Sequence, residues 1–446
     1  MKLKGRGTPF GNSPLKVYLY GCETKVIVTD MGKSTNFSGQ PIFTQLLNFL
    51  DKSKISKSSK ALGADKYVKR FTSYKHVVVM LFAAFEGYNS IRETVLGLLS
   101  NAHRLQHLGL DYLVRRSTLS EANARRTPEV FADAYYDTYK RFSGSLTDSC
   151  LSKTDMKRLY IMDSTTITLF KDILRGVGRN PANGKRKGGI KAHTIIRSED
   201  NQPCFIRYTE AAKHDHLLLK DVELPQDSIL CFDKGYVDYA QYEVFTQKSI
   251  WYVTRLKDNA LYEARKEFDI PDDADSGILK DELIELSYGK SKAEKHVSRR
   301  IAYWDSTNGR LFEFITNNMD LAAEDIARIY KKRWQIELLF KQLKQNFPLK
   351  YFLGDNENAI IIQIWSVMLA NLLLMILKSQ IHRKWAFSNM VSIVRQHLMS
   401  YINAKSFFEN PEKAWQELIE EQKARIKEKE LNNQNLLFPN WEGAYF

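Results

Sequence analysis

Cysteine is scarce in this sequence, with four residues among 446. None of the four lies in a C-x-x-C pair, which is the spacing that zinc fingers and redox-active dithiols use. We therefore exclude a disulfide-stapled fold and a cysteine zinc finger, and we expect a reducing compartment. Residues 1–30 contain only the short apolar patch VYLY, so no secretory signal is expected either.

Long apolar runs are equally rare, and a single uncharged run, Ala359–Leu377, is long enough to cross a bilayer. Three polar residues interrupt it: Gln363, Ser366 and Asn371. A membrane span is one interpretation, but a helix that is apolar on all sides also suits the centre of a large soluble domain. The polar interruptions favour the buried helix, and we expect no membrane partner.

Positive charge, by contrast, is in excess. The chain has 66 lysines and arginines against 52 aspartates and glutamates, which gives a formal net charge of +14 and a pI of about 9.3. An excess of this size suggests a polyanionic partner, most often a nucleic acid.

Many of the basic residues fall in a region, residues 38–150, where apolar residues recur every three to four positions. Its segment VRRSTLSEANARR is typical of a helix and carries Arg125 and Arg126. We predict a helical DNA-binding domain here, preceded by a disordered tail over residues 1–37. A plain helical bundle with a solvated basic face would show the same pattern.

From residue 151 the pattern changes to short apolar and β-branched runs separated by turn signals, which predict strands. Two of these runs lead into an aspartate, Asp163 in MDSTTI and Asp233 in FDKGY. Short helical patterns alternate with the strands, which predicts an α/β sheet with functional groups at the carboxyl ends of its strands. The predicted order is a first part of the core over 151–256, a β-rich insertion over 257–311, a second part of the core over 312–380 and a helical C-terminal region over 381–446.

The segment YKKRWQIELLFKQLK has the length and composition of one amphipathic helix. At about 100° per residue, one stripe of that helix holds Tyr330, Arg333, Glu337, Lys341 and Lys344. The neighbouring stripe is apolar, so the charged residues would border a buried face. On this evidence alone, Arg333 and Glu337 could equally be a surface i,i+4 pair worth about 0.2–0.5 kcal/mol.

The three acidic residues Asp163, Asp233 and Glu337 would share one site if this helix packs against the strand ends. Crowded carboxylates repel one another unless cations neutralise them. Mg²⁺ takes oxygen ligands, and two such ions about 4 Å apart can clamp the attacking and leaving oxygens of a phosphodiester. Each aspartate alone would more often be a turn former or a helix cap.

The order of these motifs resembles the DDE transposases of the insertion-sequence-four family, whose signature Y-x2-R-x3-E-x6-K follows two aspartates. Tyr330, Arg333, Glu337 and Lys344 fill every position of that signature. The similarity covers about residues 150–380. It implies an RNase H-like catalytic core of α/β class, with a β-rich insertion before the glutamate.

The resemblance also implies a function. The protein would cut the ends of an insertion sequence and join them to target DNA, as a homodimer in a synaptic complex on double-stranded terminal inverted repeats. Its place would be the bacterial cytoplasm, at the nucleoid. Asp163, Asp233 and Glu337 would hold Mg²⁺, for which Mn²⁺ would substitute. The alternative is a transposase-derived DNA-binding protein without activity, against which the intact acidic triad argues.

Several other residues are candidates for DNA contact. The resemblance assigns this role to Tyr330, Arg333 and Lys344, while Lys341 shares their stripe. Trp334 lies inside the motif, and Trp304, in the predicted insertion, is a second aromatic on which a flipped base could stack. A packed strand residue is the other interpretation of Trp304. Arg125 and Arg126 complete the predicted DNA-binding set.

Overall fold

The protein is described here from a computed structural model. The described residues are 39–146, 158–168, 189–210, 215–270, 276–289 and 293–437. The tail predicted for residues 1–37 lies outside them. Two of the four cysteines, Cys204 and Cys231, are among the described residues, and both are buried and free of disulfide bonds.

Six α-helices form the first part of the described chain, as the periodicity of its apolar residues predicts. Their bounds are α1 Ile42–Leu47, α2 Lys52–Ala61, α3 Ser73–Glu86, α4 Ile91–Ser100, α5 Arg116–Arg125 and α6 Glu129–Leu146. Local signals set the helix ends. Asp51 accepts hydrogen bonds from two backbone N–H groups at the start of α2. Gly87, with a φ of 77°, ends α3 in the left-handed conformation.

A sheet follows, and its first five strands form the core: β1 Leu159–Thr168, β2 Gly189–Arg197, β3 Pro203–Glu210, β4 Ile229–Phe232 and β5 Trp251–Arg255. Their spatial order is β3-β2-β1-β4-β5. The strands β1, β2 and β3 pair antiparallel, whereas β4 and β5 run parallel to β1. Helix α7, Tyr239–Gln247, connects β4 to β5. This arrangement is an RNase H-like core.

The segment predicted as a β-rich insertion is built of strands, and they continue the core sheet. Three strands lie within it, β6 Tyr262–Glu267, β7 Ile278–Tyr288 and β8 Glu294–Asp305, and β9 Arg310–Thr316 begins at its end and lies mostly in the predicted second part of the core. β9 pairs antiparallel with β5 on one side and with β8 on the other, so the sheet has nine strands. The hydrogen-bond ladder therefore runs without interruption from the core into the insertion.

The rest of the described chain is helical. The helices are α8 Ala323–Lys332, α9 Trp334–Asn346, α10 Glu357–Ser379, α11 Phe387–His397, α12 Ala404–Glu409 and α13 Pro411–Leu437. Helix α9 packs on β1, and α10 packs on α9 and on the N-terminal helices α3, α5 and α6. The helical regions and one face of the sheet thus share a single apolar core.

Helix α10 contains the long apolar run. Among the described residues it is the helix that is long and apolar enough to cross a membrane, and 89% of that stretch is buried inside the protein. Its polar side chains have internal partners: Gln363 donates to the carbonyl oxygens of Pro348 and Tyr351, and Asn371 accepts from Gln342. The polar interruptions are therefore satisfied within the core, as the buried-helix interpretation expects.

The motif segment is two helices, which corrects the prediction of one. Helix α8 ends at Lys332, α9 begins at Trp334, and Arg333 lies between them. The N–H of Arg333 donates to the carbonyl of Tyr330, and the carbonyl of Arg333 accepts from the N–H of Ile336. Both bonds span three residues, so the chain tightens here into a 3₁₀-type turn. Neither proline nor glycine marks the break, so it could not be predicted from the sequence.

Candidate active site

The two aspartates are brought together by strand register. The parallel pairing of β1 with β4 ends at Met162 and Phe232. The next residue along β1 is Asp163, and the residue that follows β4 is Asp233. β4 stops at Phe232, whereas β1 continues to Thr168, paired with β2 alone. Asp163 thus lies within its strand and not at its end, which corrects the prediction. It marks the end of parallel pairing, where the sheet opens beside Asp233.

Neighbouring backbone groups orient both carboxylates. The N–H of Ser164 donates to Oδ1 of Asp163 at 2.7 Å. The N–H of Gly235 donates to Oδ2 of Asp233 at 3.1 Å, so Asp233 caps a short 3₁₀ helix that follows β4. Asp233 is therefore a helix cap, as aspartates at this position often are. Its other oxygen, Oδ1, is on the side of Tyr330.

A single guanidinium joins Asp163 of β1 to the helix that carries Glu337. Nη1 of Arg333 lies 3.2 Å from Oδ2 of Asp163, and Nη2 lies 2.6 Å from Oε1 of Glu337. The side chains are 15% exposed for Arg333, 18% for Asp163 and 33% for Glu337. The i,i+4 ion pair of Arg333 and Glu337 that the sequence suggested is present. It is partly buried, however, and Arg333 also pairs with Asp163 on the sheet.

The two remaining motif residues also face the strand ends. The phenol of Tyr330 is buried and its hydroxyl donates to Oδ1 of Asp233 at 3.5 Å. Nζ of Lys344 donates to Oγ1 of Thr165 at 2.6 Å and to the carbonyl of Thr166 at 3.3 Å. All four residues of the signature therefore converge on β1 and β4.

The electrostatics of the site reflect burial and crowding. Burial raises the pKa of Asp163 to about 6, assisted by the negative charges of Asp233 and Glu337 and opposed by Arg333 and the Ser164 N–H. Burial alone would lower the pKa of Arg333, but the hydrogen bond to Glu337 and the charge of Asp163 outweigh it and raise that pKa. Burial also raises the pKa of Tyr330, which keeps its hydroxyl proton.

The donor set suits a hard divalent cation, because carboxylate oxygens from three elements face one space. Among the described residues, however, no three aspartate, glutamate, histidine or cysteine side chains lie close enough together to share one ion. Arg333 lies between two of the three carboxylates and supplies the positive charge that they need. The ligands thus fit a metal chemically, while in this conformation a guanidinium neutralises them.

Comparison with known proteins identifies the family of the protein. A model of the transposase DDE domain matches residues 154–373, and a domain of unknown function (DUF4372) matches residues 38–111. The chain is 30% identical to the protein y4zB of Sinorhizobium fredii, named as a transposase, over 58% of this chain and 70% of that relative. It is 26% identical to a protein of Geobacillus stearothermophilus named as the transposase of insertion sequence element IS5377, over 79% and 90% of the two chains.

The chain belongs to the DDE transposases. Domains of this family generally use divalent metal ions. A solved structure of a piggyBac transposase synaptic complex with hairpin DNA has a remote likeness to the transposase described here. The TM-score is 0.37 at 9% identity, covering 83% of this chain and 81% of that one.

Two more predicted residues lie on the motif helix of the transposase. Trp334, at the start of α9, is 57% exposed, and Lys341 is exposed on the same helix. Leu338 lies between them and is 51% exposed. These positions are three to four residues apart and therefore form one outward face of α9, beside the face that meets the carboxylates.

The other predicted contacts lie elsewhere. Trp304, on β8, is 43% exposed and pairs across the ladder with Leu311, so it is a strand residue with an open indole face. Arg125 is exposed at the end of α5 and pairs with Glu121.

Arg126 requires a correction as a DNA contact. Its side chain is 7% exposed and donates to the carbonyl oxygens of Phe71 and Thr72, with Asp65 at 3.6 Å. A guanidinium used in this way ties the end of α5 to the segment before α3 and is not offered to a phosphate. The sequence could not distinguish it from Arg125, because Arg126 is the extended residue that follows α5 and its direction is set by packing.

The prediction missed residues on both faces of β1. Thr165 holds Lys344, and the alternation of a strand could have found it, since residues 163 and 165 share a face. On the opposite face, Ser164 lies 3.5 Å from Oδ1 of Asp215, which also pairs with buried Lys191 at 2.7 Å. Ser164, Asp215 and Lys191 thus form a polar cluster on the face of β1 opposite Asp163. No sequence motif indicates this cluster.

Proposed function

We propose that this transposase cleaves the ends of an insertion sequence and joins them to target DNA, with Asp163, Asp233 and Glu337 as ligands of two Mg²⁺ ions. Mn²⁺ would substitute, since it takes the same oxygen donors. The observation that carries the proposal is that Arg333 joins Asp163 of β1 to Glu337 of α9, while Asp233 follows β4 beside Asp163. Bound Mg²⁺ would polarise the phosphodiester and activate the attacking water or 3′-hydroxyl.

The side chains of the protein itself would bind and orient the DNA. Arg333 and Lys344 lie beside the acidic residues and cannot bind a cation, so we assign them to phosphates flanking the cut bond. Tyr330 can donate a hydrogen bond to a phosphate in place of Asp233. The exposed face of α9, with Trp334 and Lys341, would receive the adjoining strand by stacking and by charge.

The helical region over residues 38–150 is proposed to bind the terminal inverted repeats. Several cations there are held over aromatic rings near the surface, among them Arg70, at 4.2 Å from the ring centre of Tyr112, and Lys66, at 5.2 Å from that of Tyr67. Such side chains remain available to phosphates while their stems are fixed. A homodimer on two paired ends, in the bacterial cytoplasm at the nucleoid, completes the proposal.

The experiment replaces Asp163 or Asp233 by asparagine in the full chain. Each variant should bind a terminal repeat as tightly as wild type in a gel-shift assay but should not nick a supercoiled plasmid carrying that repeat in Mg²⁺. Asp227→Asn is the matched control, because this exposed aspartate precedes the opposite end of β4. Wild-type cleavage by either site variant would remove that residue from the catalytic set. If wild type binds ends but never cuts, the protein is a DNA-binding derivative.

A further inference from the structure

We propose that Arg333 is an internal counterion of the metal-free transposase, which neutralises Asp163 and Glu337 and must leave both carboxylates when a divalent cation binds. The inference rests on the proposed function, because it takes these two residues as metal ligands. It assigns to Arg333 a role beyond DNA contact, namely control over the entry of the metal.

The geometry of the guanidinium is the first support. Its two terminal nitrogens reach two carboxylates on different elements, at 3.2 Å to Asp163 and 2.6 Å to Glu337. The two carboxylates are therefore separated by the width of one planar cation. Because that cation is 15% exposed, it fills the space between them and is not a solvated neighbour.

The incomplete bonding of Arg333 is the second support. Its Nε is buried without an acceptor among the described residues. Each carboxylate receives only one of its nitrogens, in place of the two parallel bonds that an arginine forms with a carboxylate in its best geometry. A buried donor without a partner costs free energy, so this guanidinium has less bonding to lose on leaving than a fully paired one.

Charge gives the direction of the exchange. Asp163, Asp233 and Glu337 together outnumber the one positive charge of Arg333, so the site retains an attraction for cations. A divalent ion bound to the same oxygens would repel the guanidinium and would remove its partners. The cation and the guanidinium therefore compete for Asp163 and Glu337.

A released Arg333 would be free to bind a phosphate of the DNA end. Metal and DNA should then bind cooperatively, and by linkage each should raise the affinity of the other by the same factor. This coupling would keep the acidic site closed until both the metal and the end are present.

The test measures Mn²⁺ binding to the full chain without DNA, by electron paramagnetic resonance of the free ion. Arg333→Gln should bind Mn²⁺ about tenfold more tightly than wild type, which corresponds to about 1.4 kcal/mol. Arg328→Gln is the matched control, since that arginine lies on α8 and pairs with Asp325 away from the site; its affinity should not change. Equal or weaker binding by Arg333→Gln would mean that Arg333 merely holds the ligands in place, and would overturn the inference.

Asp163→Asn in the same titration separates the two proposals. If it loses Mn²⁺ while Arg333→Gln matches wild type, the counterion role fails and the metal site stands. If Asp163→Asn binds as wild type does, the proposed function itself fails. Should Arg333→Gln not fold, Arg333→Lys replaces it. One ammonium nitrogen then stands in place of the two terminal nitrogens that reach the two carboxylates, so Mn²⁺ binding tighter than wild type is again expected, and its absence would overturn the inference.

Discussion

Two arginines of the protein, one on strand β8 and one between helices α8 and α9, bind carboxylates in different ways. Arg299, on β8, gives Asp281 of β7 two parallel bonds, Nε to Oδ1 at 2.8 Å and Nη2 to Oδ2 at 2.5 Å. Its remaining nitrogen donates to the carbonyls of Met319 and Leu321. Arg333 divides its two terminal nitrogens between Asp163 and Glu337 and leaves Nε without an acceptor among the described residues.

The two side chains differ in how much bonding each would lose if it left its carboxylate partners. Arg299 and Asp281 are both under 10% exposed, and every nitrogen of the guanidinium has an acceptor, so this pair is complete without any ligand. Around Arg333, bonding is incomplete and the carboxylates are more exposed. A group that is only partly satisfied can exchange partners at little cost, whereas breaking a complete buried pair is expensive.

The largest predicted effect is on catalysis, and it tests whether the partners of Arg333 serve the site. Glu337→Gln keeps the size of the side chain and a hydrogen-bond acceptor for Arg333 but removes the charge. We expect cleavage to fall on the order of 10³-fold, since the metal stabilises the transition state by several kcal/mol. The measurement is end cleavage in Mg²⁺, with end binding and the melting temperature followed on the same protein.

Stability provides the control for that variant. If Glu337 served only as the partner of Arg333, the substitution would lower the melting temperature slightly and would leave cleavage near the wild-type rate. That combination of results would mean that Arg333 and Glu337 form only a structural ion pair. Arg333 would then serve the fold, as Arg299 does.

The second effect is on stability. Arg299→Met should lower the free energy of unfolding by about 3–5 kcal/mol, because Asp281 is left as an unpaired charge in a buried position. Urea denaturation measures this, and the double variant Arg299→Met with Asp281→Leu should recover much of the loss. Arg333→Gln should lose less, about 1 kcal/mol, since Asp163 and Glu337 remain partly solvated. If both substitutions lowered the free energy of unfolding by the same amount, Arg333 would be as structural as Arg299.

Much of the fold could be predicted from the sequence because its signals are local. Apolar runs and turn residues located β1 to β5, and the polar interruptions of the long apolar run placed it in the core. The break at Arg333 could not be found, since it depends on how α8 and α9 dock and not on a helix-breaking residue. The continuity of the nine-stranded sheet depends on the pairing of β9 with β5, which is a long-range contact.

The site was partly predictable for a similar reason. The motif spacing named Asp163, Asp233 and the four signature residues, and period arguments placed the latter on one stripe. The structure adds what spacing cannot contain: the register that aligns Met162 with Phe232, and the reach of Arg333 across to the sheet. Burial, which removes Arg126 from the DNA-contact set, is also a property of packing and not of sequence.

A third arginine tests the comparison through pH. Arg395 donates to the carbonyls of Phe85 and Asn346, which end α3 and lie in the last turn of α9, and its charge only partly offsets the burial of Glu86. Burial raises the pKa of Glu86 from 4.5 to about 7. The folded protein therefore keeps this proton where the unfolded chain has released it, and stability contributed by that proton is lost as pH rises from about 4.5 through 7.

The measurement compares wild type with Glu86→Gln in urea at pH 5 and pH 8. The variant carries no titrating group at this position, so wild type should lose stability relative to it as the pH increases. If the difference in unfolding free energy between wild type and Glu86→Gln were the same at both pH values, Glu86 would ionise normally. Arg395 would then be a full partner of that carboxylate, as Arg299 is of Asp281.

The smallest effect concerns Lys344, the cation of the site that has no carboxylate partner among the described residues. Its ammonium is held by two neutral oxygens, those of Thr165 and Thr166, so unlike Arg333 it can meet a phosphate without first leaving an ion pair. Lys344→Ala should weaken binding of a cleaved end and reduce the slope of log affinity against log salt by about one, the signature of one lost phosphate contact. Lys405→Ala, an exposed lysine on α12, is the control and should leave the slope unchanged. If Arg333→Gln lowers the slope in metal-free buffer as much as Lys344→Ala does, then Arg333 already contacts DNA while paired, and the two cations do not differ as their bonding indicates.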